Sequence, residues 1–167
     1  MSIDHSEQVL ADWQVVRPDL DVSPTAIFNR VVRLATYLEG KFGTAVSGHA
    51  LSHKGDYDTL AALRRAEPNF ELSPTRLAES ALITTGGMTS RIDRLERAGY
   101  VERRSDPSDR PALLVRLTEL GHEVVDRALE ANLEWQQELL AELSAEDQAR
   151  LAHILRDLLV RLGDSRP

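Results

Sequence analysis

Apolar residues recur at intervals of three and four along most of the chain, which is the spacing that brings them to one face of an α-helix. This spacing predicts helices over residues 1–16, from Ser23 onward, and over about 54–66, 75–80 and 84–97. After residue 117 it predicts one long helix capped by Thr118 and a last helix capped by Ser144. The chain is therefore predicted to be mainly α.

The last predicted helix has the broadest apolar stripe. Its members stand at helical spacing and are Leu151, Ile154, Leu155, Leu158, Leu159 and Leu162. A stripe this broad needs a covering surface, and symmetric pairing is the commonest form of oligomer. We therefore expect residues 1–45 and 119–167 to supply the dimerisation helices of a homodimer. The alternative is that these helices fold back onto the chain's own core.

The middle of the chain is predicted to form two short helices with a tight connection. Ser73-Pro74 supplies an N-cap and a proline at the first helical position of one helix, which carries Leu77. Thr84 or Thr85 can cap the second helix, and Gly99 stands where a left-handed residue would end it. The apolar face of this second helix consists of Met88, Ile92 and Leu95. The arrangement is typical of a helix-turn-helix.

Two segments with strand-like composition follow Gly99. They cover residues 100–104 and 113–117, and the turn-rich stretch 105–111 separates them. A helix-turn-helix followed by such a hairpin is a winged helix, which we predict over residues 54–117.

The side of the second helix that lies away from its apolar face carries small, hydrogen-bonding and cationic residues, as a helix in a DNA major groove would. At the hairpin, arginine is expected to reach phosphates or a minor groove. The predicted DNA-contacting residues are Thr85, Gly86, Thr89, Ser90, Arg94, Arg104 and Arg110. For the helix taken alone, the alternative is an ordinary solvated face.

The formal net charge of −7 at first disfavours a nucleic-acid partner, because phosphate binding needs Lys and Arg. Within residues 76–116, however, eight arginines outnumber six acidic residues, so this segment carries +2 and the remainder −9. An acidic body with a locally basic segment is compatible with specific binding and weak indiscriminate binding.

Composition narrows the class of protein further. At 167 residues the chain has room for a single domain. The absence of cysteine rules out disulfides, thiolate metal sites and a thiol redox switch. The N-terminus has neither a positively charged leader nor a long apolar run. We therefore expect no signal peptide and no membrane span, and a cytoplasmic location.

Candidate chemistry outside the winged helix is weak. His49 and His53 have the i, i+4 spacing that suits zinc on a helix, but flanking glycines and the lack of a convincing third ligand favour no metal site. His153 on the last helix is expected to face the partner subunit. The chain offers no nucleophile with a His and an Asp, no phosphate-binding glycine loop and no clear carboxylate pair. We expect no catalytic residues and no cofactor.

Three stretches resemble the MarR family of bacterial transcription regulators, and the similarity covers nearly the whole chain in order and spacing. They are Leu72-Ser73-Pro74 with Leu77-Ala78, the run from Gly86 to Glu96, and Arg104-x-Asp106-Pro107-x-Asp109-Arg110 followed by Leu117-Thr118 and Gly121. The family's wing usually reads Asp-x-Arg, whereas here Asp109 is followed by Arg110 and Pro111. Either Arg110 makes the minor-groove contact or the wing binds DNA less tightly.

The chain has an additional helix ahead of the family's usual first helix. This helix contains Trp13 and is followed by a break at residues 17–21. In these features the chain resembles the urate-responsive branch of the family, which includes the PecS-like proteins. The resemblance implies a ligand site made by Trp13, Asp58, Arg91 and Arg103. From the residues themselves, Asp58 lies in an apolar run where a buried carboxylate needs a partner, and Arg91 borders the apolar face of its helix. The alternatives are core packing for Trp13 and a structural salt bridge between Asp58 and Arg91.

The expected function is that of a homodimeric, ligand-responsive transcriptional repressor that binds a pseudopalindromic double-stranded DNA operator. A small planar anion of the urate, xanthine or phenolic acid class is expected to release it. One alternative is a constitutive or metal-sensing DNA-binding regulator whose first helix is only structural. A more remote alternative is a small hydrolase.

Overall fold

The computed structural model describes residues 3–47, 51, 53–81, 83–105 and 113–164. In chain order the elements are α1 (His5–Val16), α2 (Ser23–Ser47), α3 (Lys54–Arg64), β1 (Glu71–Leu72), α4 (Pro74–Ser80), α5 (Thr85–Arg97), β2 (Val101–Ser105), β3 (Leu113–Leu117), α6 (Glu119–Leu140) and α7 (Ala145–Arg161). The predicted fold class is confirmed: the protein is mainly α, with a winged helix-turn-helix in its centre.

Local side-chain chemistry sets the ends of the central helices. The Thr84 hydroxyl accepts a hydrogen bond from the Gly87 N–H at 3.2 Å, which begins α5 where the sequence predicts. Gly99 has a φ of 76° just after α5, so the predicted left-handed end of this helix is confirmed. The Thr118 hydroxyl likewise accepts from the Gly121 N–H at 3.0 Å and begins α6. These ends fix the position of α5 between the turn and the wing.

The wing belongs to a three-stranded antiparallel sheet with the order β1-β3-β2. In the hairpin, Val101 lies opposite Leu117 and Ser105 opposite Leu113. The first strand pairs with the other edge of β3, where Leu72 lies opposite Val115. The sequence did not predict β1, since a strand of two residues is too short to show a period-two pattern.

One apolar core joins α3, α4, α5, the sheet and the first half of α6. The side chains at its centre, each less than 2% exposed, are Leu60, Leu63, Leu77, Met88, Ile92, Leu95, Val115 and Val125. The predicted apolar face of α5 is therefore buried as expected. This packing gives the helix-turn-helix a fixed support on one side and leaves the other side of α5 open.

The terminal helices, in contrast, leave their apolar stripes uncovered. No residue of α7 is buried, and Leu158 and Leu159 are 36% and 48% exposed. On α2 the predicted stripe is exposed at Ile27, Val31 and Leu34. α7 does not fold back onto the chain's own core, which was the alternative to dimerisation, whereas α2 reaches that core through Phe42, which is 4% exposed. No helix in the described ranges combines the length and hydropathy of a membrane span.

Candidate nucleic-acid interface and ligand-binding residues

The outward face of α5 consists of the small polar residues that the sequence assigns to DNA contact. Thr85, Gly86, Thr89 and Ser90 are all exposed. A Cβ added at Gly86 would meet no atom within 4 Å, so the backbone lies open in front of the first turn. The Thr89 hydroxyl donates to the Thr85 carbonyl at 3.0 Å, within the helix. Among the residues that the structure describes, no other element covers these four positions.

Arg94 also lies on α5, but its guanidinium is engaged by α3. Its Nε and Nη2 atoms donate to the two carboxylate oxygens of Asp56 at 3.0 and 2.5 Å. Asp56 is 4% exposed, whereas the Arg94 side chain is 43% exposed. The hydrogen bond to Asp56 raises the pKa of Arg94, so the guanidinium stays charged. The helical period predicts that Arg94 faces the DNA groove, but it does not reveal that Asp56 binds this side chain.

Arg91 turns toward the protein, in agreement with its place beside the apolar face. Its guanidinium covers the backbone of Gly55 so closely that a Cβ added there would lie 2.9 Å from Nη1 and nearer still to Nη2. Nη1 also donates to the Thr59 hydroxyl at 3.4 Å. Two arginines of α5, the predicted recognition helix, thus contact the first turns of α3, because Asp56 binds Arg94 next to the contact made by Arg91.

Arg103, at the centre of β2, bonds back to α5. Its guanidinium donates to the carboxylates of Asp93 and Glu96. The hydrogen bond to Asp93 is the main cause that raises the pKa of Arg103, and the charge of Glu96 acts in the same direction. The side chain is 27% exposed. An incoming anion at Arg103 therefore competes with two carboxylates that already bind it.

Asp58 is not the buried carboxylate that its apolar surroundings suggested, and it does not pair with Arg91. It is half-buried and bonds to Lys54 one turn earlier, at 2.7 Å. The buried acidic group of α3 is Asp56, because positions 56 and 58 point to opposite sides of a helix. Asp58 instead lines a cavity of about 240 Å³ together with Tyr57 and Arg65.

Trp13 lies on α1, whose start is tied to α2 by an ion pair between Asp4 and Arg30 at 2.7 Å. The indole is 47% exposed, so simple core packing does not account for it within the chain. Within the described ranges, no hydrogen bond or ion pair joins any two of the four residues predicted to bind ligand: Trp13, Asp58, Arg91 and Arg103. Asp58, Arg91 and Arg103 instead bond to Lys54, to Thr59, and to the Asp93 and Glu96 carboxylates, respectively.

The base of the wing is described and its tip is not. Arg104 on β2 is exposed, with its Nε 3.8 Å from the Glu102 carboxylate. Arg110 and Pro111 lie outside the described residues, as do Asp106 and Asp109. The prediction that Arg110 contacts DNA therefore stays a prediction.

The chain resembles known regulators over almost its full length. It is 30% identical over 158 residues to the HTH-type transcriptional regulator PecS of Dickeya dadantii, a match that covers 95% of each chain. The model of the MarR family matches residues 51–110. The chain belongs to the MarR family. It is a transcriptional regulator that binds DNA, and it is not an enzyme.

Two further proteins that the chain resembles are informative. The transcriptional repressor MprA of Escherichia coli K12 is 32% identical over 97 residues, which cover 58% of this chain and 55% of MprA. The crystal structure of Sco3205, a MarR-family transcriptional regulator from Streptomyces coelicolor, was determined in complex with DNA. It superposes with a TM-score of 0.78 at 27% identity and covers 87% of this chain and 91% of Sco3205. The winged helix of this MarR-family chain therefore has a DNA-bound counterpart.

The histidines give no metal centre among the residues that the structure describes. His53 is exposed in front of α3, and His49 lies outside those residues. No group of three or more potential His, Cys, Asp or Glu ligands occurs in the described parts of the chain. His153 is exposed on α7 and lies 3.3 Å from the Asp157 carboxylate. Its predicted place at a subunit interface stays a prediction.

Local spacing did not reveal Gly55, Asp56 and Thr59 as partners of the recognition helix. Each meets an arginine more than thirty residues further along the chain, and only the packing of α3 against α5 brings these pairs together. An acidic residue in the first turn of a helix is explained sufficiently by the helix dipole. The sequence therefore contained no signal that assigned Asp56 to Arg94.

Proposed function

We propose that this MarR-family regulator is a homodimeric repressor released from a pseudopalindromic operator by a small planar anion, for which urate is the first candidate. One observation carries the proposal: Arg91 belongs to α5, the helix proposed to read DNA, yet it is partly buried and its guanidinium lies against α3. A ligand that binds Arg91 acts directly on the DNA-reading element. The 30% identity to PecS and the 32% identity to the transcriptional repressor MprA support this proposal.

Dimerisation follows from the uncovered helices. Many apolar side chains of α2 and α7 are exposed in the single chain, and two copies related by a two-fold axis bury such faces against each other. In our division of the single domain, residues 1–45 and 119–167 form the dimer and residues 54–117 bind DNA. The two copies of α5 then enter successive major grooves about 34 Å apart.

The DNA contacts come from α5 and the wing. Thr85, Gly86, Thr89 and Ser90 meet base edges or phosphates, and Arg94 adds a fixed cation beside them. Arg104 and Arg110 serve the wing. The segment that carries these residues has a charge of +2 in a chain of −7, so attraction to phosphate is confined to this side of the molecule.

The ligand is proposed to act by taking Arg91 from its place on α3. An anion bound by Arg91 and Arg103, stacked on Trp13 and bordered by Asp58, adds negative charge beside Asp58 and repels it. Withdrawal of Arg91 from Gly55 and repulsion at Asp58 both loosen the contact of α3 with α5. The ligand must prefer the state that does not bind DNA, because equal affinity for both states shifts nothing.

The main rival is a constitutive or metal-sensing regulator in which α1 is only structural. It shares the DNA-binding part of the proposal and differs in having no response to an organic anion. Among the candidate ligands, urate, xanthine and phenolic acids share the planar anionic chemistry that two arginines and an indole recognise. A chromosomal operator as target places the protein in the cytoplasm.

The test is a mobility shift of purified wild-type protein on the DNA immediately upstream of its own coding sequence, with a scrambled duplex of equal length as control. We expect a specific shift at nanomolar protein that urate reverses. A shift that urate, xanthine and phenolic acids all leave intact, but that a chelator or added Zn²⁺ changes, favours the metal-sensing rival. A shift that none of these additions changes favours the constitutive rival.

A further inference from the structure

Asp56 is an acidic residue in an unusual place. It lies in the first turn of α3, it is 4% exposed, and its carboxylate receives both hydrogen bonds that Arg94 sends to α3. Burying a carboxylate costs free energy unless a cation and hydrogen bonds compensate it. A buried ion pair adds little net stability compared with apolar residues of the same size. The stability of the fold alone therefore does not account for this pair.

The ion pair with Asp56 occupies only one side of the Arg94 guanidinium. Asp56 binds the side of the guanidinium that carries Nε and Nη2, at 3.0 and 2.5 Å. Nη1 donates no hydrogen bond to any of the described residues, and the Arg94 side chain is 43% exposed. The other carboxylates of α5 that lie nearby, Asp93 and Glu96, are taken by Arg103. Arg94 thus presents a fixed, charged edge at the surface of the recognition helix.

We propose that Asp56 is a positioning residue for DNA binding, which holds Arg94 in one orientation so that its free Nη1 edge meets an acceptor on the operator. The proposal rests on the DNA-facing placement of α5 given above. An arginine that is free in solution loses rotamer entropy when it binds a base or phosphate. Because Asp56 already holds the guanidinium in one orientation in the free protein, Arg94 loses less rotamer entropy when it binds DNA.

Asp56 and Asp58 lie on opposite sides of α3. Asp56 points to α5, while Asp58, two residues later, lines the cavity on the other side of the helix. A displacement of α3 at the Asp58 side therefore moves the support of Arg94 as well. Asp56 acts through Arg94 and has no proposed contact with DNA of its own.

The test is a double-mutant cycle in operator binding with full-length protein: wild type, Asp56→Asn, Arg94→Ala and the double variant. The operator is a duplex selected by the wild-type protein from a random library, and each affinity is measured by fluorescence anisotropy together with that for a scrambled duplex. Asn keeps the size of Asp56 and one acceptor oxygen but loses the charge. Thermal melting of each variant shows that it is folded at the temperature of the assay.

We expect Asp56→Asn to weaken operator binding roughly 5- to 150-fold, the range that one well-placed bidentate side chain contributes. Binding to the scrambled duplex should change less than threefold. In the Arg94→Ala background the same substitution should change operator affinity less than twofold. An equal loss in both backgrounds means a merely structural role and overturns the proposal.

A second result overturns it in the other direction. Tighter operator binding by Asp56→Asn means that Asp56 keeps Arg94 away from DNA, because removal of the acid then frees a cation for phosphate. Unchanged operator affinity in both single variants means that Arg94 takes no part in binding. If the wild-type protein selects no duplex at all, the proposed function of operator binding is contradicted. This outcome is distinct from the three results above, which contradict only the proposed role of Asp56.

Discussion

Gly55→Ala tests the contact between the Arg91 guanidinium and α3, because it adds one methyl group where the two meet. The Cβ built at this position lies 2.5 Å from Arg91 Cζ and 2.9 Å from Nη1, which is far inside van der Waals contact. The obstructed atoms are the end of a flexible side chain, so the guanidinium moves away while the backbone of α3 stays in place. The substitution therefore imitates the step that we assign to the ligand, withdrawal of Arg91, without any ligand present.

The expected effect on stability is small. Alanine in place of glycine favours a helix by about 1 kcal/mol at most, and loss of the 3.4 Å hydrogen bond to Thr59 costs about 0.5 to 1.5 kcal/mol. These terms nearly cancel, and 1 kcal/mol shifts the Tm of a chain of this size by only about 2 to 4 °C. The effect on operator affinity should be larger, roughly 5- to 150-fold weaker, the usual range of allosteric coupling.

The assay is fluorescence anisotropy on the selected operator, with and without urate, together with thermal denaturation. Gly40→Ala on α2 is the matched control, because a Cβ added there meets no atom of the described residues within 4 Å, and light scattering checks that this variant still forms dimers. We expect the control to bind and respond like wild type, and Gly55→Ala to bind weakly and gain little further weakening from urate. A Gly55→Ala protein with wild-type operator affinity and a full urate response refutes the reasoning.

Two further substitutions test the dimer and the wing. Leu158→Glu places a carboxylate in the α7 stripe of both subunits, and burial of each charge costs several kcal/mol, so light scattering should show monomers that no longer bind the operator. A variant that stays dimeric at micromolar concentration contradicts our placement of the interface. Arg110→Ala should weaken operator binding and lower the slope of log affinity against log salt by about 1. If Arg110→Ala and wild type have the same operator affinity and the same salt slope, the wing tip makes no contact with DNA. The Pro111 residue, which departs from the family's usual wing sequence, is compatible with that result.

The helices and their limits were predictable because they depend on local chemistry. Thr84 and Thr118 cap the predicted helices, and Gly99 takes its left-handed φ where the recognition helix ends. The apolar face of α5 was predictable for a similar reason, since Met88 and Ile92 follow the helical period and are buried. Features that a few neighbouring residues decide are visible in the sequence.

The polar contacts of the site were not predictable in the same way. The apolar run around Asp58 suggested that this acid is buried, but the orientation of α3 buries Asp56 and leaves Asp58 with Lys54. A shift of two residues along a helix reverses the side to which a side chain points. Only the packed position of α3 against α5 decides which of the two acids meets Arg94.

The most direct test of the account compares the urate concentration that releases half of the bound operator from wild type and from Trp13→Ala. Trp13 is half exposed on α1, away from the outward face of α5, so the substitution should leave operator affinity within about twofold of wild type. The account predicts that Trp13→Ala needs at least about tenfold more urate for release, because the indole no longer stacks on the anion. Release of Trp13→Ala at the wild-type urate concentration contradicts the proposed pocket.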